Sequence, residues 1–455
     1  MSSTSEVWIS IAVTDRPASL RRLAGDLVEL AKEFPCALSV LVIDNSKTAA
    51  ARRSTEDALA VLRSVASSVR VEQATIPGGS IARSRRDQRN QVGRARASAS
   101  PPAFIWMLDD DVRLEHQVVE GGTRRTRRLH NHLGFLLDVK AKHPELEVLL
   151  GEVSGDPPIP AVATFASRLE DFAVSLRRMG GMAPHALWEG EPAGASGSSG
   201  DDYYDFSEGA TEARLWTASR RGLKVAEALE EMLCDACDIP FGIAFSRPIL
   251  ANALEFGRLR NETIRGAHAV FFSSEAFLSQ RYASLTIEGI ETRRSDTLAS
   301  TLFARACPER LRKSGFAVLH SRPRHESALP TSEELARNLI ADTWGAALTR
   351  ALGDDGRTVM SFLQQRLDRI DGALSRTAVA IGDARRLAAA IAPWAKGPRA
   401  LWQRVDERLQ WVLDTVPGVC EGRLAAPWRD VLASIDGAKA LEAFARRLAE
   451  SPDAE

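Results

Sequence analysis

The sequence predicts an α/β protein with a mostly parallel, Rossmann-like sheet, followed by an all-α C-terminal domain. Three observations carry this. Between Val7 and Leu108, short apolar runs alternate with segments of helical periodicity, as in a parallel sheet with right-handed crossovers. The run Phe104-Ile105-Trp106-Met107-Leu108 ends abruptly in Asp109-Asp110-Asp111. From Thr331 onward the chain is rich in Ala, Leu and Arg at helical spacing, which suits several antiparallel helices.

Val7 to Val13 is mostly apolar and β-branched, a first strand closed by Thr14-Asp15-Arg16-Pro17. Ala18, Leu20, Leu23, Leu27 and Leu30 repeat at helical spacing, predicting a helix from Ala18 to Phe34. Ser39 to Ile43 is a second strand that ends at Asp44-Asn45-Ser46. A helix over Thr55 to Ser67 and a short strand over Val69 to Glu72 follow. Pro77-Gly78-Gly79-Ser80 then opens an Arg-rich helix from Ile81 to Ala97. The Phe104 strand comes next, an apolar run of the kind buried on both faces.

Composition is that of an ordinary globular protein, 44% hydrophobic and 26% charged over 455 residues. A net charge of -1 gives no global pull towards nucleic acid or an anionic membrane. The Arg83–Arg96 run has no interleaved aromatics, so it is no stacking platform for single strands. No segment approaches the roughly 18 apolar residues of a membrane span. The N-terminus lacks the layout of a signal peptide. Five scattered cysteines, with Cys234-Asp-Ala-Cys237 as an isolated Cys-x-x-Cys, suit a reduced, cytoplasmic protein.

Strand ends of such a sheet open on a crevice. Asp15, Asp44 and Asp109 would gather on that edge. Three adjacent carboxylates repel one another unless a cation is shared. Asp109 and Asp111 would point the same way from an extended chain and grip one hard ion, Mg²⁺ or Mn²⁺, with positions left for phosphate oxygens. An acidic turn after a strand is the plainer alternative.

The order of these parts resembles a GT-A glycosyltransferase, close to the large family that includes cellulose and chitin synthases. The matching pieces are Val13-Thr14-Asp15-Arg16-Pro17, Val42-Ile43-Asp44-Asn45-Ser46, Gly79-Ser80-Ile81-Ala82-Arg83 and Leu108-Asp109-Asp110-Asp111. The resemblance implies a nucleotide-sugar donor, with Asp44 at the nucleoside, Gly79 and Arg83 at the donor phosphates, and Asp109 and Asp111 on the metal-bound diphosphate. The family has Ala-Arg-Asn where this chain has Ala82-Arg83-Ser84, and an Arg-Asn pair comes only at Arg89-Asn90.

Beyond the acids, Glu120 to Arg128 is expected as a basic loop or helix start, either solvated, a flap over the diphosphate, or a dock for an anionic acceptor. Leu129–Lys142 and Thr164–Met179 have helical patterns, Val148–Val153 is a strand, and Asp201 to Phe206 lies in a Gly- and Ser-rich loop. Ile239 to Arg247 reads as a strand and Pro248 to Phe256 as a helix. By resemblance, Arg293-Arg294-Ser295-Asp296 is the acidic motif at a helix start, and Asp296 the general base of an inverting reaction. A simple N-cap is the alternative for Asp296. Gly315 to His320 is a last strand, whose His320 matches the histidine that completes the metal site in several GT-A transferases and would favour Mn²⁺. Arg322, Arg324 and His325 follow.

The resemblance covers residues 7 to 325. It implies a nucleotide-sugar-binding half over 7–112 and an acceptor and catalytic half over 113–330, and the change to Ala-, Leu- and Arg-rich helical spacing marks a separate helical domain over 331–455. In that last part Gly353, Gly372, Pro393, Pro398, Pro417 and Pro427 punctuate the helices, and the tryptophans fit core or interface positions, including a homo-oligomer contact. The implied activity is transfer of a sugar to an unknown acceptor hydroxyl. A retaining reaction on the same fold, a degenerate binding protein acting through its helices, and nucleotidyl transfer are the alternatives. The last would need a glycine-rich triphosphate loop near the first strand, where the chain has Thr14-Asp15-Arg16-Pro17.

Overall fold

A computed structural model describes residues 6–33, 37–96, 102, 104–120, 123–155, 169, 172–188, 222–241, 249–250, 259–261, 269–321, 329–353, 358–391, 399–421, 430 and 435–450. The strands are β1 Glu6–Val13, β2 Ala37–Asp44, β3 Ser68–Gln73, β4 Phe104–Asp109, β5 Val112–Arg113, β6 Glu115–Glu120, β7 Thr123–Arg128, β8 Val148–Gly155, β9 Ile249–Leu250, β10 Val270–Phe272, β11 Thr286–Ile287, β12 Ile290–Glu291 and β13 Leu311–His320. The helices are α1 Pro17–Glu33, α2 Ala49–Leu59, α3 Ile81–Arg96, α4 His132–Lys142, α5 Val225–Cys237, α6 Ser274–Ser279, α7 Ser295–Ala306, α8 Ser332–Gly353, α9 Val359–Ile391, α10 Arg399–Glu421 and α11 Ile435–Glu450.

The fold is α/β. Its main sheet has the order β3-β2-β1-β4-β10-β8-β13-β5. The first four strands are all parallel, β10 runs against both neighbours, and β8 and β13 are parallel again. Because β4 returns to the far side of β1 from β2, the order reverses between β1 and β4. A crevice opens at such a reversal, outside the carboxyl ends of the two strands. That places Thr14 and the three aspartates on either side of it.

The apolar runs make this sheet because both faces are covered. On one face the fully buried Trp106 ring lies 5.0 Å from Phe271 and 5.4 Å, edge-on, from Phe316. On the other, Ile105, Met107 and Phe272 pack with Phe277 and Tyr282. His132 of α4 joins the first cluster, its ring 4.9 Å from Phe316. Burial, reinforced by the nearby His116, pushes its pKa down to about 4 from 6.5. The unfolded chain therefore takes up this proton first. The stability that neutral His132 contributes is complete above about pH 6.5 and is lost as pH falls towards 4. This amounts to about 3 kcal/mol. Denaturant melts of the His132→Leu variant are expected to lose that slope, and an unchanged slope would place the acid sensitivity elsewhere.

Several expectations shift. The second helix begins at Ala49, not Thr55, because the Thr48 hydroxyl caps it by accepting from the Ala51 N–H at 3.1 Å. Within the arginine-rich 120–128 stretch, Thr123–Arg128 is no loop or helix start but the outer strand of an antiparallel β6–β7 pair, with Val118 opposite Arg125 and Glu115 opposite Arg128. Charged residues on an edge strand also keep it from pairing with other chains. Ile239–Phe241 is a 3-10 turn, and Ile249–Leu250 is a strand beside β6 where a helix was expected. The rest of the predicted strand and helix over 242–256 lies outside the described residues, as do Asp201 to Phe206, Arg322, Arg324, His325, Trp394, Pro427 and Trp428. The helix predicted over 164–179 is described at residues 169 and 172–179.

The C-terminal part is helical as expected. Thr331 and Glu334 form a reciprocal cap at the start of α8. Gly372 does not break a helix, since α9 runs through it from Val359 to Ile391. One apolar core joins α8–α11 to α5, to Leu298 of α7 and to Ile287 and Ile290. Trp344 is buried in that core, and Trp402 and Trp411 pack against it. Cys234 and Cys237 are free thiols on α5, and burial pushes Cys237 up to about 11, far from a reactive thiolate. No helix among the described residues is long and apolar enough to cross a membrane.

Candidate active site

The three aspartates part ways at the end of β4. The strand stops at Asp109, and Asp110 and Asp111 lie in a turn before β5. Their directions therefore come from their partners, not from the alternation of an extended chain. This corrects the expected geometry of the Asp109/Asp111 pair.

Asp109 meets Arg85 of α3 in a short ion pair. The same guanidinium donates through Nε to Asp296, 3.3 Å away, and through Nη1 to Gln88 Oε1 at 2.9 Å. Gln88 in turn donates to Ser10 Oγ of β1 at 3.0 Å. Arg85 is thus anchored to the sheet and fully buried, 0% exposed. Burial alone would weaken its charge, but Asp109 and Asp296 outweigh that and raise its pKa. Two acids far apart in sequence share one edge of a planar cation, a geometry that lysine cannot reproduce.

Asp110 points back to the first strand end. It accepts from the Thr14 N–H at 3.0 Å and from Arg16 at 3.4 Å. Burial first, and then the charge on Asp111, push it above the ordinary carboxylate range, against the pull of Arg16 and the Thr14 N–H. Asp110 is a structural clasp across the β1/β4 crevice.

Asp111 sits between Arg16, whose Nη1 is 2.6 Å from Oδ2, and His320, whose Nε2 is 3.1 Å from Oδ1. The register explains the second contact. Val112 pairs with His320 across β5 and β13, and the Ser321 N–H donates to the Asp111 carbonyl at 2.8 Å. Strand pairing thus brings Asp111 and His320 side by side.

On the β2 side, Asp44 is buried and its carboxylate accepts from the Ser46 N–H at 2.9 Å. Asp15 has φ 49° and accepts from the Lys47 N–H at 3.3 Å. Gly79 is clasped by Asn45, which accepts from its N–H at 3.1 Å and donates to its carbonyl at 2.9 Å. A Cβ there would stand 2.8 Å from the Ile76 carbonyl, so only glycine fits the turn. Arg83 faces Glu291 at 4.0 Å, and Ser80 donates to the same carboxylate at 2.8 Å. Arg89, the other candidate for the arginine role, donates to the Gln280 carbonyl instead.

Asp296 lies in the first turn of α7. The cap position is Arg294, so the simple N-cap reading of Asp296 does not hold. An anion there gains from the helix dipole. The turn that delivers it is unusual. Arg294 has φ 66°, a conformation costly for a long side chain. It is held by a bidentate pair with Asp342 of α8, both contacts at 2.8 Å. Arg366 of α9 reaches the same carboxylate at 2.8 Å. The Arg293 N–H donates to the Ala341 carbonyl at 3.0 Å. A Cβ on Gly345 would come within 2.2 Å of the Arg293 carbonyl, so α8 presses directly on this loop. The C-terminal helices thus take part in placing the acid.

Sequence reasoning missed Arg85 and Asp342. A signal for Arg85 existed. Ala82, Arg85, Gln88, Val92 and Ala95 share the buried face of α3, and a charged residue on an apolar stripe needs a partner.

Residues that would hold a divalent cation can be judged from their donors. Among the described residues no group of three or more His, Cys, Asp or Glu side chains forms a cage. Asp111 and His320 nevertheless bring an oxygen and a nitrogen donor within 3.1 Å, compatible with two ligands of one ion. Two side chains suffice where substrate phosphates complete the shell. Among the described contacts, Arg16 pairs with Asp110 and Asp111, and Arg85 with Asp109 and Asp296.

No family model matches the chain, and no curated protein matches it in sequence. Among solved structures it is similar to mannosyltransferase PcManGT from Pyrobaculum calidifontis in complex with GDP-Man and Mn²⁺, at 9% identity and a TM-score of 0.37, over 92% of this chain and 88% of that one. It is also similar to residues 1-349 of S. aureus TarS in complex with UDP-GlcNAc, at 10% identity and a TM-score of 0.35, over 90% and 91%. At these TM-scores the superpositions carry no functional weight.

Proposed function

We propose that this chain is a metal-dependent glycosyltransferase of GT-A type, moving a sugar from a nucleotide-diphosphate sugar to an acceptor hydroxyl with inversion. The observation that carries it is a pair of ion-pair networks built from the adjoining Asp109 and Asp111, one joining Asp109 and Asp296 through Arg85 and the other setting Asp111 between Arg16 and His320.

In this reading the nucleotide lies along the ends of β1 and β2, beside Asp15, Asp44 and the Gly79 turn, with Arg83 towards the phosphates. Asp111 and His320, with Asp109 beside them, hold Mn²⁺ or Mg²⁺. When bound, the ion neutralises the charge that develops on the leaving diphosphate. Asp296 takes the proton from the acceptor hydroxyl as its oxygen attacks the anomeric carbon. Arg85 keeps this acid at a fixed spacing from Asp109. The halves over 7–112 and 113–330 then serve donor and acceptor, and the helices over 331–455 brace the base.

A thermal-shift panel of UDP, GDP, CDP, ADP and dTDP, each with and without Mn²⁺, tests this. Ligand at about a hundred times its dissociation constant stabilises by roughly 2.7 kcal/mol, a shift of several degrees. One nucleotide is expected to shift the wild type only with the metal, and Asp111→Asn to abolish that shift with the fold intact. Equal shifts in both proteins would remove Asp111 from the metal site.

A further inference from the structure

The two arginines on the acid cluster differ in one respect that decides what each can do. Arg85 is 0% exposed and has three partners on three elements, Asp109, Asp296 and Gln88. It has no route out. Arg16 is 41% exposed and stands in the turn just before α1. Its guanidinium bridges Asp111 at 2.6 Å and Asp110 at 3.4 Å. Asp110 also accepts from the Thr14 N–H at 3.0 Å, a partner independent of Arg16.

We propose that Arg16 is an exchangeable counter-ion that competes with the divalent cation for Asp111, so that the cation binds well only when the diphosphate of a donor draws Arg16 away. This rests on the metal-site reading above. A dication on Asp111 and His320 would face the Arg16 guanidinium across a single carboxylate, a like-charge contact in a poorly solvated site. A diphosphate beside the cluster offers Arg16 a bidentate partner of opposite charge, which guanidinium geometry suits. The exchange moves one cation from protein acid to substrate phosphate and leaves Asp111 to the metal. Nucleotide and metal then bind cooperatively, each raising the affinity for the other by the same factor. Arg85, locked in place, keeps its pairs with Asp109 and Asp296 throughout.

The test uses Mn²⁺ alone, with free ion followed by electron paramagnetic resonance on the full chain, no donor and no turnover. Arg16→Gln is expected to bind Mn²⁺ at least about tenfold more tightly than the wild type without nucleotide. The wild type is expected to approach that affinity only when the nucleoside diphosphate that shifts its melting is added. Arg16→Met, which keeps an apolar stem of similar length, gives the same comparison should the glutamine variant fold poorly. Equal or weaker Mn²⁺ affinity in the folded variants overturns the competition and leaves the metal site standing. Absence of Mn²⁺ binding in every protein, with and without nucleotide, overturns the metal site and the competition with it.

Discussion

Replacing Asp342 by alanine is expected to cost about 3–5 kcal/mol of stability, the usual penalty for stranding buried charges. Arg294 and Arg366 both end on this one carboxylate, and all three side chains are largely withdrawn from water. Burial by itself would raise the Asp342 pKa, yet the two arginines hold it well below the usual carboxylate range. Without it, two guanidiniums lose this carboxylate, and the bidentate pair that holds Arg294 at its positive φ is gone. The loss should spread to the first turn of α7, because Arg294 is its cap position. Urea unfolding of Asp342→Ala against wild type measures the effect. A change below about 1 kcal/mol would mean that water reaches these arginines, as for a surface pair.

Asp296→Asn should leave the protein folded and its metal-dependent nucleotide affinity within about threefold of wild type, while transfer falls by roughly 10²–10⁴. Asparagine keeps an oxygen for Arg85 Nε, so the local geometry survives, but it cannot accept the acceptor proton. Transition-state loss without ground-state loss appears as a fall in kcat at constant donor binding. Once the donor is known from the thermal panel, the assay is release of its nucleoside diphosphate in the presence of candidate acceptors. Full activity would show that another group is the base. Loss of nucleotide binding instead would assign Asp296 to the donor side through Arg85.

Strand and helix identity was legible wherever one pattern ran long enough. β1, β2 and β4 are mostly apolar, β8 and β13 carry apolar runs at Val148–Leu150 and Phe316–Leu319, and these stretches are buried. Short or mixed segments were not. Thr123 to Arg128 has no hydrophobic alternation to mark a strand, and only pairing with β6 makes it one. Gly372 lies inside a 33-residue helix because packing around α9 outweighs roughly 1 kcal/mol of glycine propensity. Local spacing assigned no role to Asp110 beside Asp109 and Asp111, and its contacts with the Thr14 N–H and Arg16 show it to be a clasp.

The sequence by itself determined the mostly parallel sheet, the helical C-terminal part and the strand ends that carry Asp15, Asp44, Asp109, Asp111 and His320. Those follow from local periodicity and from charges placed where apolar runs stop. What only the tertiary structure decided is who neutralises whom. Arg85 joins Asp109 to Asp296, far apart in the chain, and Asp342 braces the Arg294 turn from a helix with no local link to the acids. A buried charge must find its counter-charge in space, and the chain order of the partners puts no mark on the sequence that local spacing can read.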